Sequence, residues 1–192
     1  ELDSAGANCI SHFTGEDYRD AVVTFYHKWD NTMKHIAGFD DSANSIRTVG
    51  TGMQPWNTID SQSRYYIDNF RSALDSPGEW YLERSGYLYY IPVKGETIET
   101  TSFFVPVLKE FIVIRGDSST GKRVGKIRFE NISFEVSGYQ LPPQGNEAMQ
   151  AASPIGASVT LDFAENISFL NCEVAHTGNY AFWFRRACSR CT

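Results

Sequence analysis

Long hydrophobic runs, clusters of basic residues and cysteine pairs are all scarce in this sequence of 192 residues. No apolar run approaches the ~20 residues that a membrane-spanning helix needs, so no membrane span is expected. The 17 Lys and Arg residues against 23 Asp and Glu give a formal net charge of -6, and no Lys/Arg run is present. This balance argues against nucleic acid or an anionic membrane as a partner.

The four cysteines are too few for an extensive disulfide framework in a chain of this length; they are Cys9, Cys172, Cys188 and Cys191. The last two form an isolated C-x-x-C. Zinc would need a second such pair or two nearby histidines, and a redox motif would need a helix that begins directly after a strand. We therefore interpret the cysteines as packing or turn residues, and we expect neither a metal nor another cofactor.

Hydrophobic residues make up 42% of the chain and aromatic residues 14%, which excludes wholesale disorder and suits one large or two small domains. The sequence begins with Glu1 rather than Met and shows no signal-peptide pattern, and it ends at Thr192 within an alternating segment. We expect it to be a piece of a longer polypeptide, with any targeting signal outside it.

The first half of the chain carries several strand patterns between irregular segments. Alternation of apolar and polar residues predicts a strand at 21–29 and a strand pair at 33–39 and 45–49. A hairpin is expected at 79–91, where a Ser-Gly pair suits a tight turn.

Tyr66, Phe70 and Leu74 fall four residues apart, which predicts a helix over 65–74 that ends at the following Pro-Gly. Together with the strands, this predicts a small α+β domain over residues 1–95.

The second half contains a repeat. Residues 127–138 align with 167–178, with coincident Ile, Phe, Asn and Gly. A competing alignment places 130–134 on 165–169, but it does not match the Asn and the Gly at the end of each unit. Residues 139–154 are interpreted as a loop inserted between the two units.

Asn131 and Asn171 suit sharp bends between short strands, because Asn tolerates left-handed backbone geometry and its amides can stack. A third unit is expected to begin at Cys191, 24 positions after Ile167. Short strands, Asn bends and a period in the twenties predict a solenoid, and parallel crossovers favour the right-handed form. We therefore predict the opening coils of a right-handed parallel β-helix over 96–192, with a β-sandwich as the alternative.

Several segments of the first half resemble, as a series, the insertion domain of bacterial right-handed β-helix proteins such as those of glycoside hydrolase family 141. These segments are residues 25–32, 52–57, 63–70, 73–84 and 88–92. The segments 107–116, 127–134 and 167–184 are similar to the first helical coils of the same proteins.

This resemblance implies an extracellular or periplasmic protein that acts on a complex carbohydrate, such as an α-L-fucoside or xylan. The catalytic carboxylates of the family belong to later coils, so the resemblance transfers no catalytic residue and the fragment alone is expected to be inactive. The implied partners are a poly- or oligosaccharide and the rest of the parent β-helix.

One possible strand register of the second half brings together side chains that could bind a sugar. If 112–116, 159–163 and 180–184 stack, their fourth positions, Arg115, Asp162 and Trp183, face outward on neighbouring coils. An aromatic ring beside charged groups is typical of a sugar site. The alternative is that Arg115 and Asp162 form an ordinary surface ion pair.

The remaining site candidates are isolated. Asp162 is the candidate catalytic carboxylate, but its one outward partner, Glu173, falls on another face of the coil, so no pair suited to glycoside hydrolysis is convincing. His176 is expected in a turn from which it could reach a ligand, although a structural histidine bonded to the backbone is the favoured interpretation. Trp56 lies on a Gly/Pro loop and is a candidate to line a cleft.

The Gly-rich stretch 116–125 lacks a phosphate-binding spacing and is interpreted as a loop.

These observations predict a fragment of a secreted carbohydrate-active enzyme, with a glycoside hydrolase as the parent protein. The alternatives are a carbohydrate-binding or adhesive β-helix without catalysis, which needs only aromatic side chains, and a polysaccharide lyase. A lyase would require a calcium site or a basic catalytic residue on the outward face.

Overall fold

The computed structural model describes residue 13 and residues 17–149 and 155–192. As expected, the fold is mainly β, and helical structure within the described ranges is limited to the 3-10 turns Asp17–Arg19 and Arg71–Ala73. None of the described helices is long and apolar enough to cross a membrane. Cys9 lies outside the described residues.

The strands are, in chain order, β1 (Val22–Tyr26), β2 (Asn31–Asp40), β3 (Ser45–Thr48), β4 (Arg64–Asp68), β5 (Trp80–Leu82), β6 (Leu88–Tyr90), β7 (Ile112–Arg115), β8 (Val124–Glu130), β9 (Ser133–Ser137), β10 (Asn146–Glu147), β11 (Ala157–Asp162), β12 (Ala164–Leu170), β13 (Glu173–Thr177) and β14 (Tyr180–Phe184). They fall into two compact units. Unit 1 takes in Glu1–Thr101 and Leu141–Ser153, and unit 2 takes in Ser102–Gln140 and Pro154–Thr192. That residues 1–95 form an insertion domain stays a prediction.

Unit 1 is built on an antiparallel sheet with the strand order β10-β2-β1-β4, and β3 pairs with β2 at its other end. The strand patterns predicted for β1, β2 and β3 are therefore confirmed. Alternate residues of β1 place Val23 and Phe25 on one face, where they join Ile36 and Phe70 in the hydrophobic core. Phe13 packs edge-on against Phe70, with ring centroids 4.9 Å apart. The hairpin is also present, with β5 antiparallel to β6 and Gly86 at a φ of 95° in its turn.

The helix predicted over 65–74 is wrong, because Arg64–Asp68 forms strand β4, antiparallel to β1. Tyr65 and Ile67 pack against the core while Tyr66 between them is exposed, so the two-residue period decides the local structure. Asn69 then adopts a φ of 58° and ends the strand, which leaves only the 3-10 turn Arg71–Ala73.

The inserted loop predicted for 139–154 contains a strand, because Asn146–Glu147 pairs antiparallel with β2 and completes the sheet of unit 1. Gly145 precedes this strand at a φ of 83°, and a Cβ there would lie 2.6 Å from the Met33 carbonyl oxygen. Lys34 is 2% exposed, and its ammonium forms an ion pair with Glu147 and donates to the Thr51 carbonyl oxygen at 3.0 Å. A buried charge pair therefore holds residues distant in sequence together.

Unit 2 consists of short parallel sheets. β11 pairs with both β7 and β14, β12 pairs with β8, and β13 pairs with β9. Ile127 lies opposite Ile167 and Phe129 opposite Phe169, which confirms the preferred alignment of the repeat over its competitor. The two Phe rings stack with centroids 4.8 Å apart. The buried core of the unit contains Ile114, Val159, Leu161, Ala164 and Ile167.

The bends of unit 2 repeat from one strand layer to the next. Asn131 and Asn171 adopt φ values of 56° and 50°, and the Asn171 Nδ2 donates to the Asn131 Oδ1 at 2.6 Å. The predicted pair of equivalent Asn corners is therefore confirmed. A further layer lies beside Ile167, since the Thr192 N–H donates to the Ile167 carbonyl oxygen at 3.0 Å. This contact places Cys191 next to Ile167, where the third unit was expected.

Replacing the corner Asn tests how much the bend contributes to stability. We expect Asn171→Ala to lower the free energy of unfolding by about 2 kcal/mol, because it loses the amide hydrogen bond and strains a left-handed residue. Asn171→Gly keeps the backbone freedom and should lose only about 1 kcal/mol. Urea-induced unfolding measures both. Equal losses for Ala and Gly would show that the backbone geometry contributes nothing.

The buried ion pair of unit 1 gives a second stability test. Glu147→Gln leaves the Lys34 ammonium buried without a counter-charge, and we expect a loss of about 3 kcal/mol in urea-induced unfolding. The double variant Lys34→Met/Glu147→Leu should regain most of this loss, because neither charge is then buried. Glu130→Gln, which removes the exposed partner of Arg128, is the matched control and should cost less than about 1 kcal/mol. A Glu147→Gln effect no larger than that of the control would contradict the role of the pair.

Candidate functional site

Asp162 and Arg115 share a register position on the parallel strands of unit 2. Asp162 ends β11 and lies directly opposite Arg115 of β7, as the alternation predicts. The neighbouring residues Leu161 and Ile114 belong to the buried core, so Asp162 and Arg115 lie on the opposite, outward face of the sheet.

Trp183 was expected on the same row as Asp162, and this expectation is wrong. Trp183 of β14 lies opposite Thr160, two residues earlier on β11. The backbone register explains the difference, because Phe182 and Phe184 fall opposite Val159 and Leu161 on the core face.

Trp183 is still on the outward face, partly buried under Arg185, whose guanidinium carbon lies 4.5 Å from the ring centroid. The hydroxyl of Thr160 beside it donates to the Glu110 carboxylate at 3.3 Å. Two of the outward groups around Trp183 therefore already have protein partners.

Asp162 is held by Arg186 rather than by Arg115. Its side chain is buried, with the residue 1% exposed, and Arg186 Nη2 donates to Oδ2 at 2.7 Å and Nε to Oδ1 at 3.3 Å. The hydrogen bond from Arg186 lowers the pKa of Asp162, and the positive charges of Arg186, Arg185 and Arg115 act in the same direction. A carboxyl group that stays ionised cannot donate a proton at neutral pH, so this geometry is that of a structural ion pair.

Neither Glu173 nor His176 joins Asp162. Both residues lie in β13, which pairs with β9 in a sheet separate from that of β11. His176 is exposed and, contrary to its expected place in a turn, lies within the strand at a φ of 50°. Glu173, the predicted partner, therefore forms no carboxylate pair with Asp162 in the part of the chain that the structure describes.

The Gly-rich stretch 116–125 is a turn organised by an aspartate. The Asp117 carboxylate accepts hydrogen bonds from the Ser119 N–H at 2.8 Å and from the hydroxyls of Ser119 and Thr120, each at 2.6 Å. These bonds lower the pKa of Asp117 to about 2. The donors that could bind a phosphate are thus occupied by a charge of the same sign, which agrees with the interpretation of a loop.

The cysteines of unit 2 are free thiols. Cys188 and Cys191 pack at the edge of its core, and their Sγ atoms lie within hydrogen-bonding distance of backbone carbonyl oxygens. Among the residues that the structure describes, no group of His, Cys, Asp or Glu could hold a metal ion.

Trp56 lines an open cleft in unit 1 with a volume of about 1280 Å³. The cleft lies between the turn that joins β1 to β2, the loop at 56–63 and strand β4. Three large aromatic side chains in it are exposed to solvent: Trp56 at 47%, Tyr26 at 51% and Tyr66 at 41%. Such exposure leaves the ring faces available to a ligand.

The register of the sheet places the two tyrosines. Tyr26 lies opposite Arg64 on β4, and Thr24 lies opposite Tyr66, so Tyr26 and Tyr66 are diagonal neighbours on the face away from the core. Their ring centroids are 5.8 Å apart, with an angle of 41° between the planes. The signal for both tyrosines was present in the alternation of β1 and β4, but the predicted helix over 65–74 concealed it.

Polar side chains complete the cleft. Asn57 is buried and donates its Nδ2 hydrogens to the Asp30 carboxylate at 3.1 and 3.3 Å, which fixes the loop that carries Trp56 against the β1–β2 turn. The His27 Nε2 lies 2.9 Å from the Thr32 hydroxyl. A rigid wall, exposed rings and polar groups are thus brought together by the antiparallel sheet.

Comparison with known proteins gives a likeness of fold. No family model matches the sequence, and no curated protein matches it. A solved structure described as "Glycoside hydrolase" is similar, with a TM-score of 0.62 and 18% sequence identity. The match covers 90% of this chain and 37% of the other, so this chain spans well under half the length of that protein.

The ion pair of Asp162 predicts a pH dependence of stability. Because the folded state lowers the pKa of Asp162 below its ordinary value of 3.8, the pair stabilises the fold above that value and stops doing so as the pH falls through the folded pKa. Urea-induced unfolding at pH values from about 2 to 7 should show that Asp162→Asn is destabilised most at neutral pH, with the difference from the parent protein shrinking below about pH 4.

Glu130→Gln, which affects an exposed ion pair, is the control for this measurement. A difference between Asp162→Asn and the parent that is constant across the pH range would contradict the assignment of Asp162 as an ionised partner of Arg186.

Proposed function

We propose that this chain is part of a carbohydrate-active protein and that the cleft of unit 1 binds a poly- or oligosaccharide. The observation that carries the proposal is the grouping of Trp56, Tyr26 and Tyr66, all exposed, in one cleft with polar side chains. Sugar rings present C–H faces that pack on aromatic rings and hydroxyl groups that need hydrogen-bond partners.

For unit 2 we propose the architecture of a right-handed parallel β-helix. Support comes from the three sets of parallel strands, the stacked Asn131 and Asn171 corners and the right-handed crossover that parallel strands favour. The similar structure described as a glycoside hydrolase supports a carbohydrate-active role, in agreement with the resemblance to glycoside hydrolase family 141. An extracellular or periplasmic location follows from that role as part of the proposal.

Hydrolysis is proposed for a longer parent protein rather than for this chain. Glycoside hydrolysis generally requires two carboxyl groups about 5–10 Å apart, one of which donates a proton. Asp162 forms an ion pair with Arg186, and the pKa of Asp162 is lowered rather than raised. Binding is therefore the role we assign to the present chain, and a purely adhesive or binding protein is the second candidate. The described part of the chain offers no cluster of acidic ligands for the calcium site of a lyase.

Replacing Trp56 tests the cleft. We expect Trp56→Ala to weaken oligosaccharide binding about tenfold, because one stacking surface is lost. Trp80→Ala is the matched control, since Trp80 is 64% exposed in the same unit and does not line the cleft. Isothermal titration with xylan- and fucoside-derived oligosaccharides gives the affinities. If both variants bind like the parent, or none of the three proteins binds, the proposal fails.

A further inference from the structure

The cleft of unit 1 contains two exposed cations within an acidic chain. Lys28 and Arg64 both line it and both are exposed, whereas the whole sequence carries a net charge of -6. Within the described residues, neither side chain forms an ion pair. Other Lys and Arg side chains of unit 1, such as Lys34 and Arg84, do have acidic partners.

Asp60 is the carboxylate among the lining residues, so the lining carries two cations and one anion, and Asp60 forms no ion pair with Lys28 or Arg64. Its Oδ1 accepts a hydrogen bond from the Gln62 N–H at 2.8 Å and another from the Ser63 hydroxyl at 3.2 Å. Asp60 therefore organises the turn at 60–63. The Asp30 carboxylate nearby is likewise engaged by the Asn57 amide.

Arg64 is placed beside an aromatic platform. It lies directly opposite Tyr26 in the β1–β4 pairing, and Tyr66 is two residues further along the same face of β4. A sugar ring that packs on these tyrosines would bring a substituent within reach of the guanidinium, whose planar donors match a carboxylate or sulfate group. Lys28, on the turn between β1 and β2, adds a second positive charge to the same cleft.

From this arrangement we infer that the cleft prefers a negatively charged glycan, with a carboxylate or a sulfate ester on the sugar that stacks on the tyrosines. The inference rests on the proposed function and adds the substrate class. An exposed cation contributes little by itself, but two cations at a concave aromatic surface act on the same ligand charge.

The test compares charged and neutral ligands on the full chain. Isothermal titration with an oligogalacturonide, a sulfated galactan oligosaccharide and a neutral galactan oligosaccharide of equal length should give roughly three- to tenfold tighter binding of at least one charged ligand. The charged ligand that binds more tightly identifies the anionic group. The preference should decrease as the salt concentration rises, because exposed charges are screened.

The variants Arg64→Gln and Lys28→Gln should each reduce this preference, measured as the ratio of the affinity for the charged ligand to the affinity for the neutral ligand. Arg64→Lys keeps the charge and should keep most of the preference, which separates the charge from the packing of the side chain. Lys94→Gln removes an exposed cation of unit 1 outside the cleft and is the matched control.

Two results would overturn the inference and are distinguishable from failure of the proposed function. Equal affinity for all three ligands, with binding still lost in Trp56→Ala, would leave a glycan-binding cleft without charge selectivity. A preference that survives in the Arg64→Gln/Lys28→Gln double variant would place the selectivity elsewhere. The proposed function itself fails if the parent protein binds none of the ligands, or if Trp56→Ala binds every ligand as tightly as the parent does.

Discussion

The backbone hydrogen bonds between parallel strands are the constraint on which unit 2 depends. Each strand of one layer must align with its counterpart in the next, so residues at equivalent positions lie directly above one another. This alignment stacks Phe129 on Phe169 and joins the amides of Asn131 and Asn171. It also determines the neighbours of every outward side chain, including Asp162.

The same alignment explains why an outward carboxylate of this unit is structural. Arg186 lies 24 residues after Asp162 and forms an ion pair with it. Arg190 lies 25 residues after Glu165 and forms an ion pair with that residue. The two acids thus secure one layer to the next. Because Arg186 donates to both carboxylate oxygens of Asp162 and lowers its pKa, Asp162 is unsuited to donate a proton.

Unit 1 differs from unit 2, because its antiparallel sheet buries one face and leaves part of the other face exposed to solvent. The core face is closed by Phe13, Phe70 and their neighbours, and the buried pair of Lys34 and Glu147 secures β10 to the sheet. The opposite face leaves Tyr26 and Tyr66 exposed. A rigid sheet with exposed rings and fixed polar loops is a surface suited to recognition, and little of it must be ordered when a ligand binds.

Local patterns in the sequence were sufficient for the repeat, the Asn corners and the strands β1 to β3, because alternation and backbone preference act between near neighbours. They were insufficient for β4, where the spacing of Tyr66 and Phe70 also suited a helix and only pairing with β1 decided the outcome. Only the tertiary structure placed Trp183 opposite Thr160 and paired Asp162 with Arg186. It also brought Trp56, Tyr26 and Tyr66 into one cleft. The physical reason is that strand register and loop closure depend on contacts between distant residues, and no local preference encodes them.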